Sequence, residues 1–382
     1  MDKLKHKIGL LVLSLFLVFG ATRVVLSQTL RWAPSYGFIS LDPYSYNDGA
    51  NTDKLVNIYE PLVNWDQNLN IVPGLAVRWE MINSKKWRFY LRKNVTFANG
   101  NPFTADDVVF SLKRIKSKGS DLKKRVMSVK RVVKVDDHTF DLITRFPDPT
   151  LLTSLKEFLI MDKEWCEENK ATKPNNFKAK VKNYAETHTN GTGPFLITSH
   201  VKGVKTIFEP NSSWWGWKNR DVNLTRIEMT PIENSSTSVA ALLSGQVHLI
   251  DTVPPQDIPR IKRSASNKVS TYFSASTGVI TVDIIRDQLP GCNIKGANPL
   301  KDIRVRKAMA HGLDKNAMAM KVMKNSVKPT DTSFLKKILP KGTEIPKFDY
   351  NVKLAKELLK SAGYPNGFEI SMICDSTESK VC

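Results

Sequence analysis

Residues Trp87 to Arg114 read WRFYLRKNVTFANGNPFTADDVVFSLKR, and this stretch decides the fold class. At its start, aromatic and aliphatic side chains alternate with basic and polar ones, which predicts a half-buried strand. Asn99-Gly100 then predicts a tight turn. Thr104 and Asp107 have the spacing of a capping box, which predicts a helix over Ala105–Lys116. A strand, a turn and a capped helix in one stretch predict a protein of mixed α and β structure.

The sequence on either side also alternates between strand and helix patterns. Further strands are predicted at Gln28–Ala33, Val63–Trp65, Val132–Val135, Thr139–Ile143, Phe195–Thr198, Thr206–Glu209, Arg226–Pro231, Val247–Ile250 and Phe368–Met372. Further helices are predicted at Asp53–Leu62, Ser235–Ser244, Asp302–His311 and Asn316–Lys324, with a last one that Asp349 caps. The stretch Pro34–Tyr46 is rich in turn formers and is predicted to be a loop.

The first 27 residues have the pattern of an export leader. Met1–Lys7 carries three lysines, and Ile8–Ala21 is apolar but short for a membrane span. Cleavage is expected between Ser27 and Gln28, with release to the periplasm. No cysteine follows the apolar run closely enough to predict a lipid anchor, and an uncleaved signal anchor is the alternative.

Length and composition indicate a folded protein of two or three domains. The chain has 382 residues, of which 41% are hydrophobic, so it has ample material for packed cores. The four cysteines (Cys166, Cys292, Cys374 and Cys382) allow three complete disulfide pairings and show no metal-binding spacing.

The formal net charge of +20, from 57 Lys+Arg against 37 Asp+Glu, raises the question of a polyanionic partner. Basic residues are densest over Lys113–Lys134, where Asp121 is the single acid. A nucleic-acid site, a contact with an anionic membrane and a solvated helix and strand surface are the alternatives. The solvated surface is favoured, and no nucleic-acid partner is expected, because no nucleic-acid-binding motif is present.

Motifs for catalysis are missing from the sequence. The six histidines form no HExxH motif, and neither a G-x-S-x-G elbow nor a phosphate-binding loop occurs. The adjacent carboxylates Asp106/Asp107 and Asp136/Asp137 are interpreted as a helix start and a hairpin turn. We therefore expect no enzyme activity, no catalytic residues, no metal and no cofactor, with an exported hydrolase as a distant alternative.

Several blocks together resemble a known family. They are YEPLV at Tyr59–Val63, VPGLAVRWE at Val72–Glu80, the Trp87–Arg114 stretch, GTGPF at Gly191–Phe195, ALLSGQVHLID at Ala241–Asp251, NPLKDIRVRKA at Asn298–Ala308 and AKELLKSAGYPNGFE at Ala355–Glu369. Their order and spacing resemble the family 5 extracytoplasmic solute-binding proteins of ABC importers for peptides and nickel. His248 departs from the family pattern, which often has an acid there.

The resemblance implies a two-lobed clamshell of α/β class. Residues 28–66 and 190–268 would form a discontinuous first-lobe domain, with residues 67–189 as a strand-rich insert. Residues 269–382 would begin the second lobe, which the resemblance suggests is incomplete because relatives continue further.

The implied function is to capture a peptide or a related small solute in the periplasm and deliver it to inner-membrane permease subunits. The protein is expected to be a monomer. A nickel chelate, an opine or a sugar are alternative ligands. The other possibility is a truncated product of a disrupted gene that binds nothing.

The resemblance also suggests ligand-binding residues. Ser35, Tyr36, Gly37 and Tyr46 belong to the loop that approaches ligand from the first lobe, and Thr277 and Gly278 lie near the crossover between lobes. Trp214 and Trp215, with Trp217 beside them, are candidates for an aromatic platform, and core packing is the alternative role.

Overall fold

The structure is a computed structural model that describes residues 28–373, apart from 177–178, 181, 220–222, 272–276, 334–338 and 340–341. The predicted leader, residues 1–27, and Cys374 and Cys382 lie outside the described residues. Across the part of the chain that is described, no helix is long and apolar enough to cross a membrane.

The strands in the described residues are β1 (Gln28–Ala33), β2 (Val63–Trp65), β3 (Ile71–Pro73), β4 (Ala76–Asn83), β5 (Lys86–Leu91), β6 (Val129–Asp136), β7 (Thr139–Thr144), β8 (Phe195–Val201), β9 (Lys205–Pro210), β10 (Leu224–Met229) and β11 (Leu249–Ile250). The helices are α1 (Gly49–Leu55), α2 (Ala105–Ile115), α3 (Leu151–Leu155), α4 (Lys163–Glu168), α5 (Ser235–Leu243), α6 (Ile258–Lys262), α7 (Ile303–Gly312), α8 (Lys315–Ala317) and α9 (Val352–Ser361). Short 3₁₀ turns and one π-helical turn, Met318–Val322, complete the elements.

The first sheet has five strands in the order β11-β1-β10-β9-β8. β1 runs parallel to both β10 and β11, whereas β9 is antiparallel to β10 and β8. Because β1, β10 and β11 are parallel, their carboxyl ends meet at one edge of the sheet. Ligands commonly bind outside that edge in α/β folds.

The second sheet is antiparallel, in the order β4-β5-β7-β6, and a separate pair, β2-β3, precedes it. Phe89 of β5 and Phe140 of β7 stack with ring centroids 5.1 Å apart and are fully buried. α2 covers the same sheet and contacts β6. The predicted strands over residues 87–143 and the hairpin are therefore confirmed.

α2 begins at its predicted capping box. The Thr104 hydroxyl accepts the N–H of Asp106 at 3.2 Å, and Asp107 accepts the N–H of Thr104 at 2.8 Å. The buried faces of Val108 and Leu112 pack into the core. The helix buries its apolar stripe as its sequence period requires.

Three hydrophobic cores stabilise the described chain. The largest contains residues from Phe38 to Met229, on both sides of the predicted boundaries at 66/67 and 189/190, which stay predictions. The second packs α5 and α6 against β1 and β11. The third joins residues 289–305 to the α9 region, around Leu300 and Val305.

The first helix is not where the sequence predicted it. α1 spans Gly49–Leu55, because the Asp48 side chain accepts the N–H of Asn51 and starts the helix early. The predicted continuation to Leu62 is wrong. The backbone carbonyls just after α1 accept hydrogen bonds from a distant segment instead of continuing the helix. Gly193 N–H donates to the carbonyl of Ile58 at 2.8 Å, and Phe195 N–H donates to the carbonyl of Asn57 at 3.0 Å.

Two predictions near the end of the described chain are also wrong. α9 is capped by Asn351, whose side chain accepts the N–H of Leu354 at 2.9 Å, and not by Asp349. The alternating residues Phe368–Met372 form no strand. They lie beside residues 291–293 with isolated hydrogen bonds, such as Ser371 N–H to Gly291 at 3.0 Å, and no regular ladder.

One residue of the basic stretch is not on the surface. Arg114 is fully buried and makes a two-pronged contact with Asp42, with both N–O distances 2.7 Å. Burial lowers the pKa of Arg114, but the facing Asp42 carboxylate outweighs this and raises it above its ordinary value. The prediction of a solvated surface is therefore wrong for Arg114.

Candidate functional site

The loops that follow β1, β10 and β11 lie together at the carboxyl edge of the first sheet. Ser35 N–H donates to the Asp251 carboxylate at 3.2 Å, which joins the end of β1 to the end of β11. Ile232 N–H donates to the carbonyl of Pro34 at 2.9 Å and joins the loop after β10. A Cβ on Gly37 would lie 3.1 Å from Pro231, so glycine permits this close approach.

Polar side chains of α1 and its N-cap hold the loop that follows β1 in place. The Tyr36 hydroxyl donates to Asp48 at 2.9 Å. Lys54, almost fully buried, holds its ammonium 4.3 Å from the Tyr36 ring centroid and donates to the carbonyl of Ala50 at 3.0 Å. A cation over an aromatic ring is attracted by the ring's quadrupole. The Tyr36 ring is therefore fixed between α1 and its cap.

Lys54 also balances a group of carboxylates. Burial lowers the pKa of Lys54 below its ordinary value, and the negative charges of Asp251, Asp48 and Asp53 oppose that shift. The carboxyl edge of the first sheet thus carries the Lys54 ammonium near three carboxylates. Asp48, Asp53 and Lys54 belong to α1 and its N-cap, but the approach of Asp251 could not be predicted from the sequence, because Asp251 comes from a distant part of the chain.

The same edge opens on a cleft of about 410 Å³. Its walls are the loop after β10 with the start of α5, the loop after β11, and the π-helical turn after α8. The lining residues are Glu233, Asn234, Ser235, Pro254, Pro255, Gln256, Val322 and Met323. Half of the lining residues have polar side chains that can form hydrogen bonds with a solute, and the other half are apolar.

The predicted ligand residues fall in three places. Ser35, Tyr36 and Gly37 are half-buried at the edge just described. Tyr46 is half-buried in the same loop, and its carbonyl accepts the N–H of Asp48 at 3.2 Å. Thr277 and Gly278 lie in coil, half-buried and exposed respectively. Their contact with ligand stays a prediction.

Trp214 and Trp215 lie instead against Glu60. The two indole N–H groups donate to the two oxygens of the buried Glu60 carboxylate, at 3.1 and 3.0 Å. Arg92 stacks on Trp215, 3.6 Å from a ring centroid. Burial raises the pKa of Glu60, and the indole hydrogen bonds oppose the rise. The Arg92 contact connects the end of β5 to the segment between β9 and β10, and the platform role stays a prediction.

One acidic cluster has the spacing of a metal site, formed by Asp107, Asp162 and Glu164. Protein donors already occupy its buried carboxylates. Asp162 accepts the side-chain amides of Asn99, Asn101 and Asn190 at 2.7–3.0 Å, and Asp107 accepts two backbone N–H groups. The cluster therefore fastens α2 to α4.

His248, the departure from the family pattern, joins two strands. Its Nδ1 accepts the N–H of Arg31 at 3.2 Å, and its own N–H donates to the Arg31 carbonyl at 2.8 Å. The ring thus extends the pairing of β1 with β11 by one residue.

Known proteins resemble this chain in sequence and in architecture. A family profile described as bacterial extracellular solute-binding proteins, family 5 Middle, matches residues 70–380. The dipeptide-binding protein of Escherichia coli (strain K12) is 25% identical over 96% of this chain and 69% of its own length. Heme-binding protein A of Haemophilus influenzae is 29% identical over 85% of this chain, which spans 59% of that relative.

A solved structure shows the same fold. It is an ABC transporter-associated periplasmic binding protein from Helicobacter pylori in complex with the peptide STSA. The likeness has a TM-score of 0.69 at 23% identity and covers 89% of this chain and 67% of that one. With the profile match over most of its length, the chain belongs to family 5 of the bacterial extracellular solute-binding proteins.

Proposed function

We propose that this chain is the solute-binding component of an ABC importer, which captures a peptide or a related small solute in the periplasm and delivers it to membrane permease subunits. The observation that carries the proposal is the cleft at the carboxyl edge of the first sheet, walled on its far side by Val322 and Met323. The family is one of solute-binding proteins, not of enzymes.

The names of relatives support the ligand class. One relative is a dipeptide-binding protein, and the structural neighbour holds a four-residue peptide. An extended peptide offers backbone N–H and C=O groups. The half-buried loop Ser35–Gly37 lies at the carboxyl edge of the first sheet, next to the loops that line the cleft. We assign this loop, with Tyr46, Thr277 and Gly278, to ligand contact. The protein would act as a monomer.

The export route is part of the proposal. Residues 1–27 would direct the chain across the inner membrane and be removed before Gln28, the first residue of β1. Mass spectrometry of the exported protein tests this, and an intact Met1 would contradict it.

The decisive experiment is a thermal-shift screen against pools of peptides, sugars, opines and nickel chelates, followed by calorimetric titration of any hit. A ligand that binds only the folded state raises the unfolding temperature with its concentration. Ser235→Trp fills the cleft wall and should weaken binding at least about tenfold, a loss of about 1.4 kcal/mol. Ser236→Trp, on the next and exposed residue, is the matched control.

Two results would contradict the proposal. One is that no pool shifts the unfolding temperature of a cooperatively folded protein. The other is that Ser235→Trp and Ser236→Trp bind the identified ligand as tightly as the wild type does.

A further inference from the structure

A group of exposed cations lies in the segment that runs from α2 to the start of β6, far along the chain from the cleft residues. We call it the basic patch and define it as Lys113, Lys118, Lys123, Lys124, Lys130 and Arg131. All six side chains are exposed. Among the described residues, none of the six has an ion-pair partner or a side-chain hydrogen bond.

The backbone beneath the basic patch is fixed. Leu122, Val126 and Val129 are buried, which turns the intervening lysines outward. The Lys116 ammonium donates to the carbonyls of Val129 and Lys130 at 2.7 and 3.1 Å and so fastens the end of α2 to the start of β6. The segment that carries the six cations is therefore anchored to the core and to the end of α2.

Acidic groups around the basic patch are engaged elsewhere. Glu157 pairs with Arg125 at 3.0 Å, and Asp106 and Asp137 both pair with Lys134. Asp121 accepts the N–H of Asn47 at 3.3 Å. Three of these four carboxylates are thus paired with cations outside the basic patch, and the single charge of Asp121 leaves the basic patch with a net positive charge.

An exposed apolar side chain completes the surface. Met127 is 64% exposed and lies two positions after Arg125, with the buried Val126 between them. Sites for single-stranded nucleic acid usually add aromatic rings on which bases stack, and residues 113–131 contain no aromatic residue. Exposed cations that precede and follow an exposed apolar side chain in the chain match a surface of anionic headgroups over hydrocarbon.

We propose that the basic patch docks this protein on anionic phospholipid at the membrane surface. The lysines and Arg131 contact lipid phosphates, and Met127 enters the boundary between headgroups and acyl chains. Docking of this kind is independent of the solute cleft, and it concentrates the protein at a membrane surface.

The test is flotation of the full chain with vesicles of phosphatidylcholine, with and without phosphatidylglycerol. Every variant keeps residues 1–27, so differences between variants report on the changed positions. Lys123→Gln, Lys124→Gln and Lys130→Gln are combined in one protein. The matched control combines Lys353→Gln, Lys356→Gln and Lys360→Gln, three exposed lysines of α9 that remove the same net charge.

The triple variant of the basic patch should lose roughly 100-fold in partition onto phosphatidylglycerol vesicles, about fivefold for each lysine. The α9 control should keep most of its binding, and added salt should weaken the wild type. Met127→Ser should keep its salt-sensitive binding but release more readily at high salt.

Three outcomes would overturn the proposal. Equal losses in both triple variants would show that overall charge, not the basic patch, attracts the protein. Equal binding by all three proteins would show that the lysines of the basic patch contribute nothing. Tight binding to duplex DNA that the patch variant alone loses, with no preference for phosphatidylglycerol, would assign the basic patch to nucleic acid.

Discussion

Arg114 and Asp42 form an ion pair in which both side chains are completely shielded from water. Arg114 also donates to the carbonyl of Ala171 at 2.9 Å, and Asp42 accepts the N–H of Asn175 at 2.7 Å. Removing one member of such a pair leaves an uncompensated buried charge. A lysine- and arginine-rich sequence cannot distinguish this arginine from its exposed neighbours, because the distinguishing partner is 72 positions away.

Asp107 gives a prediction about pH. Burial raises the pKa of Asp107 from 3.8 to about 6, although the N–H groups of Lys163 and Thr104 oppose the rise. Between these pH values the folded state holds a proton that the unfolded state has lost. The stability contributed by this proton is complete below pH 3.8 and is lost as pH rises through about 6, amounting to about 3 kcal/mol.

Urea titrations at several pH values between 4 and 7 measure that loss. Asp107→Asn should flatten the fall in unfolding free energy over this window. Asp106→Asn, at the exposed neighbouring position, should keep the wild-type slope. Identical slopes for all three proteins would show that Asp107 does not titrate in the window.

At the scale of elements, the sequence predicted those features of helices and strands that depend on residues close together in the chain. The capping box of α2 and the alternation in β5 depend on neighbours within a few positions, and both are confirmed. The end of α1 depends on carbonyls taken by residues 193 and 195, and local pattern contains no trace of that. The loop that contains Ser35–Gly37 was predicted from its turn formers, and its contact with ligand through the resemblance. Its support by Lys54 and Asp251 was not predicted, since Asp251 lies 216 positions from Ser35.

The GTGPF segment gives a prediction at this scale. Gly193 lies so close to the end of α1 that an added Cβ would stand 2.6 Å from the carbonyl oxygen of Ile58. Gly193→Ala should therefore destabilise the protein by about 1–3 kcal/mol, as overpacking does. Gly49→Ala, where a Cβ meets nothing within 4 Å, is the control and should cost nothing. Equal midpoints of denaturation for the two variants would contradict the close packing.

At the scale of the whole molecule, the hydrophobic cores determine which parts of the chain lose stability together when a residue is substituted. The largest core and the third core share no residue among those described, and the third depends on contacts of α7 with α9. The structural neighbours are two-lobed binding proteins, and closure of two lobes about a hinge would require lobes that each keep their own packing. The sequence predicted the two lobes only through the resemblance, because periodicity describes elements and not their grouping into cores.

Separate cores predict separate responses to matched truncations. Leu300→Ala in the third core and Leu142→Ala in the largest core each remove a buried leucine and should each cost about 2–5 kcal/mol locally. Hydrogen exchange followed by mass spectrometry should show Leu300→Ala reducing protection in α7 and α9 while β5 and β7 stay protected. Leu142→Ala should give the reverse pattern, because stability is lost within the cooperative unit that holds the cavity. If either variant reduced protection equally in all four elements, the two cores would form one cooperative unit, and the independent lobes required for closure around a ligand would be absent.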